Sequence, residues 1–470
     1  MRAVIVHPRL ELHFEALMPG EVGEKWVQVP ALGCLYIREV TRQNGFECDY
    51  LDADALNLTA DQAAGRIRDG RYDVIGMQVN SYNLASAVNL ARKIRDAMPK
   101  AYIVAGGIHP TIFPKETAEL PMFDAAVGGE GEIAFPAIMH ALKNGEDVGA
   151  IQGVATKGRP FGGNAPMIQD LDSIPIPSND GLPLTHYWSA LARSRPVMPM
   201  MTSRGCPFKC TFCDRPEVDG GLRLRSIENV IDEIELRQSV GVDEFCFYDD
   251  TFTANKRRAM RLCAALAELP RKIRFDCRSR VDTSDDEMFQ SLKRAGCDRV
   301  YFGVESGDPD ILHKIRKYTT PDQVKDAVRA AKRSGLRTLG YFMIGLPDES
   351  HDQAQRTIEL ACELKTDFAL IELFIPMPQT EAYSDGLRDG LIKHDYWRAQ
   401  ATDPDPKFVP PAWPGGLLDE GQDLVREAYR RFYMSPSYMV RSLFQIRSYE
   451  EFRQKVHGFF RFLKLKASAA

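Results

Sequence analysis

Three cysteines fall within eight residues, at CxxxCxxC spacing, in Arg204-Gly205-Cys206-Pro207-Phe208-Lys209-Cys210-Thr211-Phe212-Cys213-Asp214. Ten cysteines scattered at random over 470 residues would produce that spacing about 0.005 times per chain, so the cluster calls for a chemical reason. A structural zinc ion closes its shell with four ligands, and no fourth Cys or His stands nearby. Three thiolates on a 4Fe-4S cluster leave one iron without a protein ligand, which is what a small molecule needs if it is to coordinate the metal. The candidate metal ligands are therefore Cys206, Cys210 and Cys213, with the Phe212 ring beside the open iron.

Two blocks of alternating strand and helix must position that loop. Over residues 1–150, five β-rich runs (Arg2–Val6, Glu47–Leu51, Asp73–Gln78, Ala101–Ala105, Phe123–Val127) predict an α/β, doubly wound, Rossmann-like (flavodoxin-like) parallel sheet. Ligands of such sheets sit at the carboxyl ends of the strands. Those ends carry Asn80-Ser81-Tyr82, then Gly106-Gly107-Ile108-His109, then Gly128-Gly129-Glu130-Gly131-Glu132, where glycines let backbone N–H groups approach a bulky ligand. A single Gly-Gly is more often a turn, so the joint placement carries the argument. No GxGxxG opens the first helix, which weakens a nucleotide-binding reading.

Residues 151–195, punctuated by Pro and Gly, read as a linker with few contacts of its own. Over 196–390, six apolar runs (Met198–Ser203, Asp243–Tyr248, Ile273–Cys277, Asp298–Phe302, Thr338–Ile344, Phe368–Ile375) predict a partial (β/α)6 barrel whose first strand leads into the cysteine loop. Residues 391–470, with Trp397, Trp413, Phe432 and Tyr433 among prolines, read as a mainly helical C-terminal cap over a substrate cleft. Its last thirty residues hold seven Lys or Arg against two Glu, a pattern that packs an apolar stripe on the core or makes a peripheral membrane contact.

The cysteine loop resembles that of the radical S-adenosylmethionine (SAM) superfamily, and later segments match in order. In that family the open iron binds SAM, and one electron from the cluster yields a 5′-deoxyadenosyl radical. The resemblance implies that Asp249 and Asp250 lie where the SAM amino group binds, that Arg278 or Arg280 holds its carboxylate, that Glu305 and Ser306 meet the ribose, and that the strand ending at Gly345 flanks adenine. Taken alone, the arginines are equally surface ion-pair formers and the aspartates a helix cap. Gln379, in Pro376-Met377-Pro378-Gln379-Thr380, stands where the family commonly has glycine.

The N-terminal block resembles the cobalamin-binding domain found ahead of the radical domain in a large branch of that superfamily. The implied cobalamin contacts are Asn80, Ser81, Tyr82, Gly106, Gly107, His109, Gly129, Glu130 and Gly131. Where classical modules carry Asp-x-His-x-x-Gly, this chain reads Asp52-Ala53-Asp54-Ala55-Leu56-Asn57, so cobalt is expected to receive no His from this turn. His109 is more often a polar loop residue than a cobalt ligand. The branch implies methylation of an unactivated carbon. The layout also resembles the anaerobic magnesium-protoporphyrin monomethyl ester cyclase, which leaves oxidation, cyclisation or ring rearrangement open. A methylthiotransferase would carry a second cysteine cluster. A non-enzymatic iron–sulfur or cobalamin-binding protein fits the full set of SAM segments poorly.

Composition bounds the rest. A hydrophobic fraction of 44%, a charged fraction of 27% and a net charge of −5 are those of an ordinary globular chain with no nucleic-acid partner. No signal peptide or membrane span is read, and the other seven cysteines are scattered through apolar runs, as in a reducing, cytoplasmic compartment. The expected partners are a small-molecule, lipid or tetrapyrrole substrate and a one-electron donor such as flavodoxin or ferredoxin.

Overall fold

The computed structural model describes residues 1–10, 26–214 and 221–444. Its first sheet contains β1 (Arg2–His7), β2 (Glu47–Asp52), β3 (Val74–Gln78), β4 (Tyr102–Gly106), β5 (Ala125–Val127) and β6 (Val154–Ala155), in the order β2-β1-β3-β4-β5-β6. The first five are parallel, in the flavodoxin-like order, and β6 runs antiparallel to β5. Alternation of buried side chains along each strand feeds two layers. Ile5, Val104 and Val127 pack under the helices Leu32–Gln43 and Gly131–Asn144, whereas Val4, Val6 and Met77 pack under Ala60–Asp69 and Leu84–Ala97. The helix after β1 and the helix after β3 thus cover opposite faces, which opens a crevice at the carboxyl ends between these strands.

The second sheet contains β7 (Val197–Met200), β8 (Glu244–Phe247), β9 (Arg274–Ser279), β10 (Cys297–Glu305), β11 (Arg337–Ile344) and β12 (Phe368–Leu373), all parallel and adjacent in chain order. Phe245, Phe247, Phe275 and Phe302 face the helical layer. The opposite, inner face holds Cys246, Asp276, Arg278, Tyr301, Tyr341, Met343 and Glu372, which register pairing sets side by side. Its lower end is filled by a polar plug: Tyr301 Oη donates to Asp276 Oδ2 at 2.9 Å, Arg299 Nε donates to Tyr301 Oη at 3.1 Å, and both Arg299 Nη atoms donate to the Leu191 carbonyl at 2.8 Å. The outer edge of β12 is covered by the helix Gly421–Tyr433. Ala369 N–H donates to Tyr433 Oη at 3.0 Å, Tyr433 Oη donates to Ala369 O at 2.8 Å, and Ile371 N–H donates to Tyr429 Oη at 3.2 Å.

Residues 151–195 do more than link. β6 joins the first sheet, Ala165 N–H donates to Gly128 O at 2.8 Å, and the fully buried Arg38 reaches the carbonyls of Ser178 and Asp180 at 2.6 and 2.8 Å. Pro and Gly content hid this because the segment satisfies its backbone through side chains of other elements. The tail is described only as far as the helix Pro436–Phe444, none of whose residues is buried; the rest of the basic stretch, read as packing on the core or touching a membrane, lies outside the described residues. Among the described residues, no helix is long and apolar enough to cross a membrane.

Candidate functional site

The carboxyl ends of the two sheets face one another across a cavity of about 480 Å³. The first sheet and the helices that follow its strands contribute Gly33, Gly106, Gly107, Gly129 and Gly131, and the second sheet with its loops contributes Ser203, Arg204, Gly205, Tyr248 and Asp250. The glycines make this floor bare in two ways. A Cβ built on Gly33 or Gly106 would meet nothing within 4 Å, so each leaves open volume that any side chain would fill. Gly107 is at φ +113°, and its Cβ would lie 2.7 Å from Val79 O, so the backbone there requires glycine. Behind the floor, Ile5, Ile37, Val104, Val127 and Phe135 line an apolar recess. A bare-backbone floor backed by an apolar slot suits a bulky ligand that lies close to the backbone and buries an apolar part.

Asn80, Ser81, Tyr82 and His109 stand beside this floor rather than on it. Asn80 accepts from the N–H groups of Tyr82 and Asn83 and so shapes the turn after β3. Tyr82 Oη reaches Met377 Sδ at 2.9 Å, bridging to the far end of the barrel. His109 is buried, with Nδ1 3.2 Å from Ser81 Oγ and Nε2 without a hydrogen-bond partner; burial lowers its pKa to about 3, so the ring stays neutral. Asp52 is not free for a ligand. It meets His7 Nδ1 at 3.2 Å, Tyr50 Oη at 3.0 Å, Tyr187 Oη at 3.1 Å and Ala55 N–H at 2.9 Å, which makes it a hub binding β1, β2 and the 151–195 segment together.

Glu130 and Glu132 reach across to the cysteine loop. Arg204 donates to Glu130 Oε1 at 3.0 Å and to Glu132 Oε1 at 2.5 Å, and its guanidinium lies 5.4 Å from the centre of the Tyr36 ring. Arg223 Nη2 lies 2.8 Å from Glu130 Oε1, and Ile168 N–H donates to Glu130 Oε2 at 2.6 Å. These groups clamp the residue two before Cys206 onto the first sheet. Burial alone would raise the Glu130 pKa, but Arg223, the Ile168 N–H and Arg204 together hold it below the usual value.

The three thiols lie on one loop, each partly exposed. Gly205 turns the chain into it at φ +85°, where a Cβ would lie 2.2 Å from Gly221 O. Surrounding strand ends hold the loop: Cys206 Sγ lies 3.5 Å from Thr251 Oγ1, Arg280 Nη1 lies 3.7 Å from Cys210 Sγ, and Thr211 exchanges backbone bonds with Ile315 and Ala382. Phe212 packs into the apolar cluster that includes Met343 and Met377. Among the described residues no group of three or more His, Cys, Asp or Glu is gathered as one ion requires; tetrahedral zinc would draw its sulfurs to about 3.8 Å of each other.

Of the carboxylates placed by resemblance near SAM, Asp249 is fully buried and accepts from the Thr202 hydroxyl at 2.7 Å and from Ser203, bracing the strand that enters the loop. Asp250 is the exposed one and faces the cavity. Arg280 is engaged by Asp282 and by the Lys317 carbonyl and covers the Phe208 ring at 3.9 Å. Arg278 is held by aromatic and backbone contacts: it lies 4.5 Å from the Tyr248 ring centre and donates to Phe247 O at 3.2 Å. Glu305 is at φ +69°, a strained setting for a non-glycine residue, and pairs with Lys317 Nζ at 2.8 Å. Ser306 is buried, 3.2 Å from Thr357 Oγ1. Gly345 is at φ +83° and donates its N–H to Glu349 at 2.6 Å. Gln379, at φ +63°, occupies a conformation that favours glycine, the residue the family commonly has there. Arg204, Lys317 and Glu349 were not singled out from the sequence. The first sits inside the motif itself, while the other two act through partners that only the fold supplies.

A model of the radical SAM superfamily matches residues 200–361, and a model of the B12 binding domain matches residues 27–139. The chain is 34% identical over 453 residues to an uncharacterised methyltransferase, PH0819, of Pyrococcus horikoshii, with 95% of each chain covered. It is 26% identical over 453 residues to the anaerobic magnesium-protoporphyrin IX monomethyl ester cyclase of Rubrivivax gelatinosus, covering 93% of this chain and 78% of that one. In fold it is similar to TsrM, a radical SAM methyltransferase from Kitasatospora setae solved with cobalamin and a [4Fe-4S] cluster, at a TM-score of 0.73 and 16% identity over 100% of both chains.

Proposed function

Given that this chain belongs to the radical SAM superfamily, in the branch that carries a B12 binding domain ahead of the radical domain, we propose that it methylates an unactivated carbon of a small-molecule acceptor. When bound, the iron–sulfur cluster supplies the electron that cleaves SAM and cobalamin supplies the methyl-transfer chemistry. The observation that carries this reading is the cavity shared by the glycine floor and the start of the cysteine loop, which lets two cofactors approach one another.

In this reading Cys206, Cys210 and Cys213 ligate the cluster, and Thr251 and Arg280 fix the thiols around it. Asp250 and Arg278 take the SAM amino and carboxylate groups, since each presents its charge to the cavity or the inner face. Asp249, Ser306 and Glu130 position backbone rather than ligand. Gly33, Gly106, Gly107, Gly129 and Gly131 would hold cobalamin, where any larger side chain would take up the room or strain the backbone, and the apolar recess behind them would add contact area. The cobalamin unit spans residues 1–150, the packed segment 151–195, the radical barrel 196–390 and the cap 391–470. A reductant of flavodoxin or ferredoxin type supplies the electron, and a cytoplasmic setting suits such a donor.

The test is anaerobic reconstitution of the full chain, followed by incubation with methyl-labelled SAM and cell extract. Label transferred to a small molecule supports the proposal. A product oxidised or cyclised without label would favour the second reading, which the similarity to the cyclase supports. A protein that retains neither iron nor cobalamin would refute both.

A further inference from the structure

β12 carries one charged side chain on an otherwise apolar strand. Ala369, Ile371 and Leu373 pack against the helical layer, so Phe368, Leu370 and Glu372 share the inner face of the half-barrel. Glu372 is the register partner of Met343 on β11, and Tyr341 lies one step below on the same face. Its side chain is open to water, yet protein surrounds it closely enough that burial, and then the charge of Glu305, raise its pKa.

Arg278, on the same face, is engaged by the Tyr248 ring and the Phe247 carbonyl, and charges beside the face are paired. Lys317 pairs with Glu305 at 2.8 Å, Arg280 with Asp282 at 2.8 Å, and Arg299 lies 3.6 Å from Asp276. Among the described residues, the Glu372 carboxylate has no hydrogen-bond or ion-pair partner. Tyr82 and Tyr341 lie within electrostatic reach of it, and Met343 flanks it on the next strand, with Met377 held against Tyr82. Asp214 adds a further acidic group near Tyr82. A carboxylate left without a partner among these groups is open to pairing with a cationic ligand. Aromatic faces, thioethers and the Glu372 carboxylate together favour a cation, with the Arg278 guanidinium held toward the Tyr248 and Tyr301 rings of the same face.

We propose that Glu372 determines acceptor specificity by pairing with a protonated amine on the acceptor, with the Tyr82 and Tyr341 rings lining the site. The inference rests on the barrel being the radical SAM site and narrows the acceptor to an amine-bearing molecule. A neutral isoprenoid, or a tetrapyrrole with only carboxylate and ester groups, would leave Glu372 unmatched.

The test uses the full chain reconstituted with iron, sulfide and cobalamin, and two probes of nearly equal shape, benzylamine and benzyl alcohol, in calorimetric or ligand-observed NMR titrations. The wild-type protein is expected to bind the amine about tenfold tighter or more, the value of one charge-assisted pair. Glu372→Gln is expected to bring the two within about twofold, with an unchanged circular dichroism spectrum. Equal binding by wild type, or a preference that survives the substitution, overturns the proposal. The wild-type comparison stands by itself if the variant does not fold. SAM cleavage is followed in the same preparation: with cleavage intact and no preference for the amine, only the acceptor inference falls, whereas absent cleavage removes the reading beneath it.

Discussion

Arg204→Met should loosen the contact between the two sheets more than any other single change at the site. The Arg204 side chain is 12% exposed, and its carboxylate partners Glu130 and Glu132 are 3% and 7% exposed, so the charges left behind have little access to water. Two charge-assisted bonds are lost, each worth about 1.5–3 kcal/mol, and removing one partner of a buried pair costs about 3–5 kcal/mol. Arg223 remains 2.8 Å from Glu130, so Glu132 bears most of the loss and the lower half of that range, about 3–4 kcal/mol, is expected. That corresponds to at least a hundredfold rise in the open population of this contact. Hydrogen exchange by mass spectrometry should show protection falling by that factor at residues 128–132 and 202–206, with β9 and β10 unchanged. The double variant Arg204→Met/Glu132→Gln should cost less than the sum of the singles. Because Glu130 titrates below its ordinary value, its share is present above about pH 4.3 and is lost as pH falls through the folded-state value. An effect below about 1 kcal/mol, or additive singles, would show that the clamp is not what joins the sheets.

Four further outcomes are expected. Cys206→Ala, Cys210→Ala and Cys213→Ala should each lower iron retention from about four per chain after reconstitution, read by colorimetric iron assay. Gly106→Leu should fold with an unchanged melting temperature yet lose cobalamin, measured by absorbance of the gel-filtered protein, because its side chain enters open volume; Gly107→Ala should instead lose about 1–3 kcal/mol of stability, since φ +113° and the 2.7 Å approach to Val79 O penalise any Cβ. Glu349, buried and accepting from the Gly345 and Leu346 N–H groups, has its pKa pushed up to about 7 by burial, so its contribution is full below about pH 4.5 and is lost as pH rises through 7; Glu349→Gln should flatten that slope and stabilise the protein at pH 8 by a few kcal/mol at most, checked by denaturant midpoints at pH 5.5 and 8. His109→Gln should leave the absorption spectrum of bound cobalamin unchanged, because the ring contacts Ser81 and Phe113 and does not line the cavity.

Strand positions were legible because eleven of the twelve strands of the two sheets are parallel and packed under helices, so each appears as a compact apolar run between polar turns. The run Asp298–Phe302 belongs to a strand that extends to Glu305, and Phe123–Val127 shortens to Ala125–Val127, errors confined to strand ends. β6 was missed because Val154–Ala155 is only two residues long. The cysteine loop and the glycine floor were legible because their chemistry is local in sequence. The division of labour among neighbours was not: Asp249 and Asp250 are adjacent in the chain, yet one braces Thr202 and the other faces the cavity. The same holds for Glu130, whose place in a glycine-rich loop suggested a ligand contact, while its partners Arg204 and Arg223 lie more than seventy residues away.

The hydroxyls of Tyr429 and Tyr433 stand where a seventh strand would otherwise dock on β12. A bare strand border recruits whatever chain can extend its ladder, so these two phenols act as a molecular full stop for the half-barrel. A chain truncated ahead of Gly421 would keep every proposed cofactor contact and still be expected to self-associate through that border. Shortened versions made for crystallisation should therefore retain the chain to Tyr433.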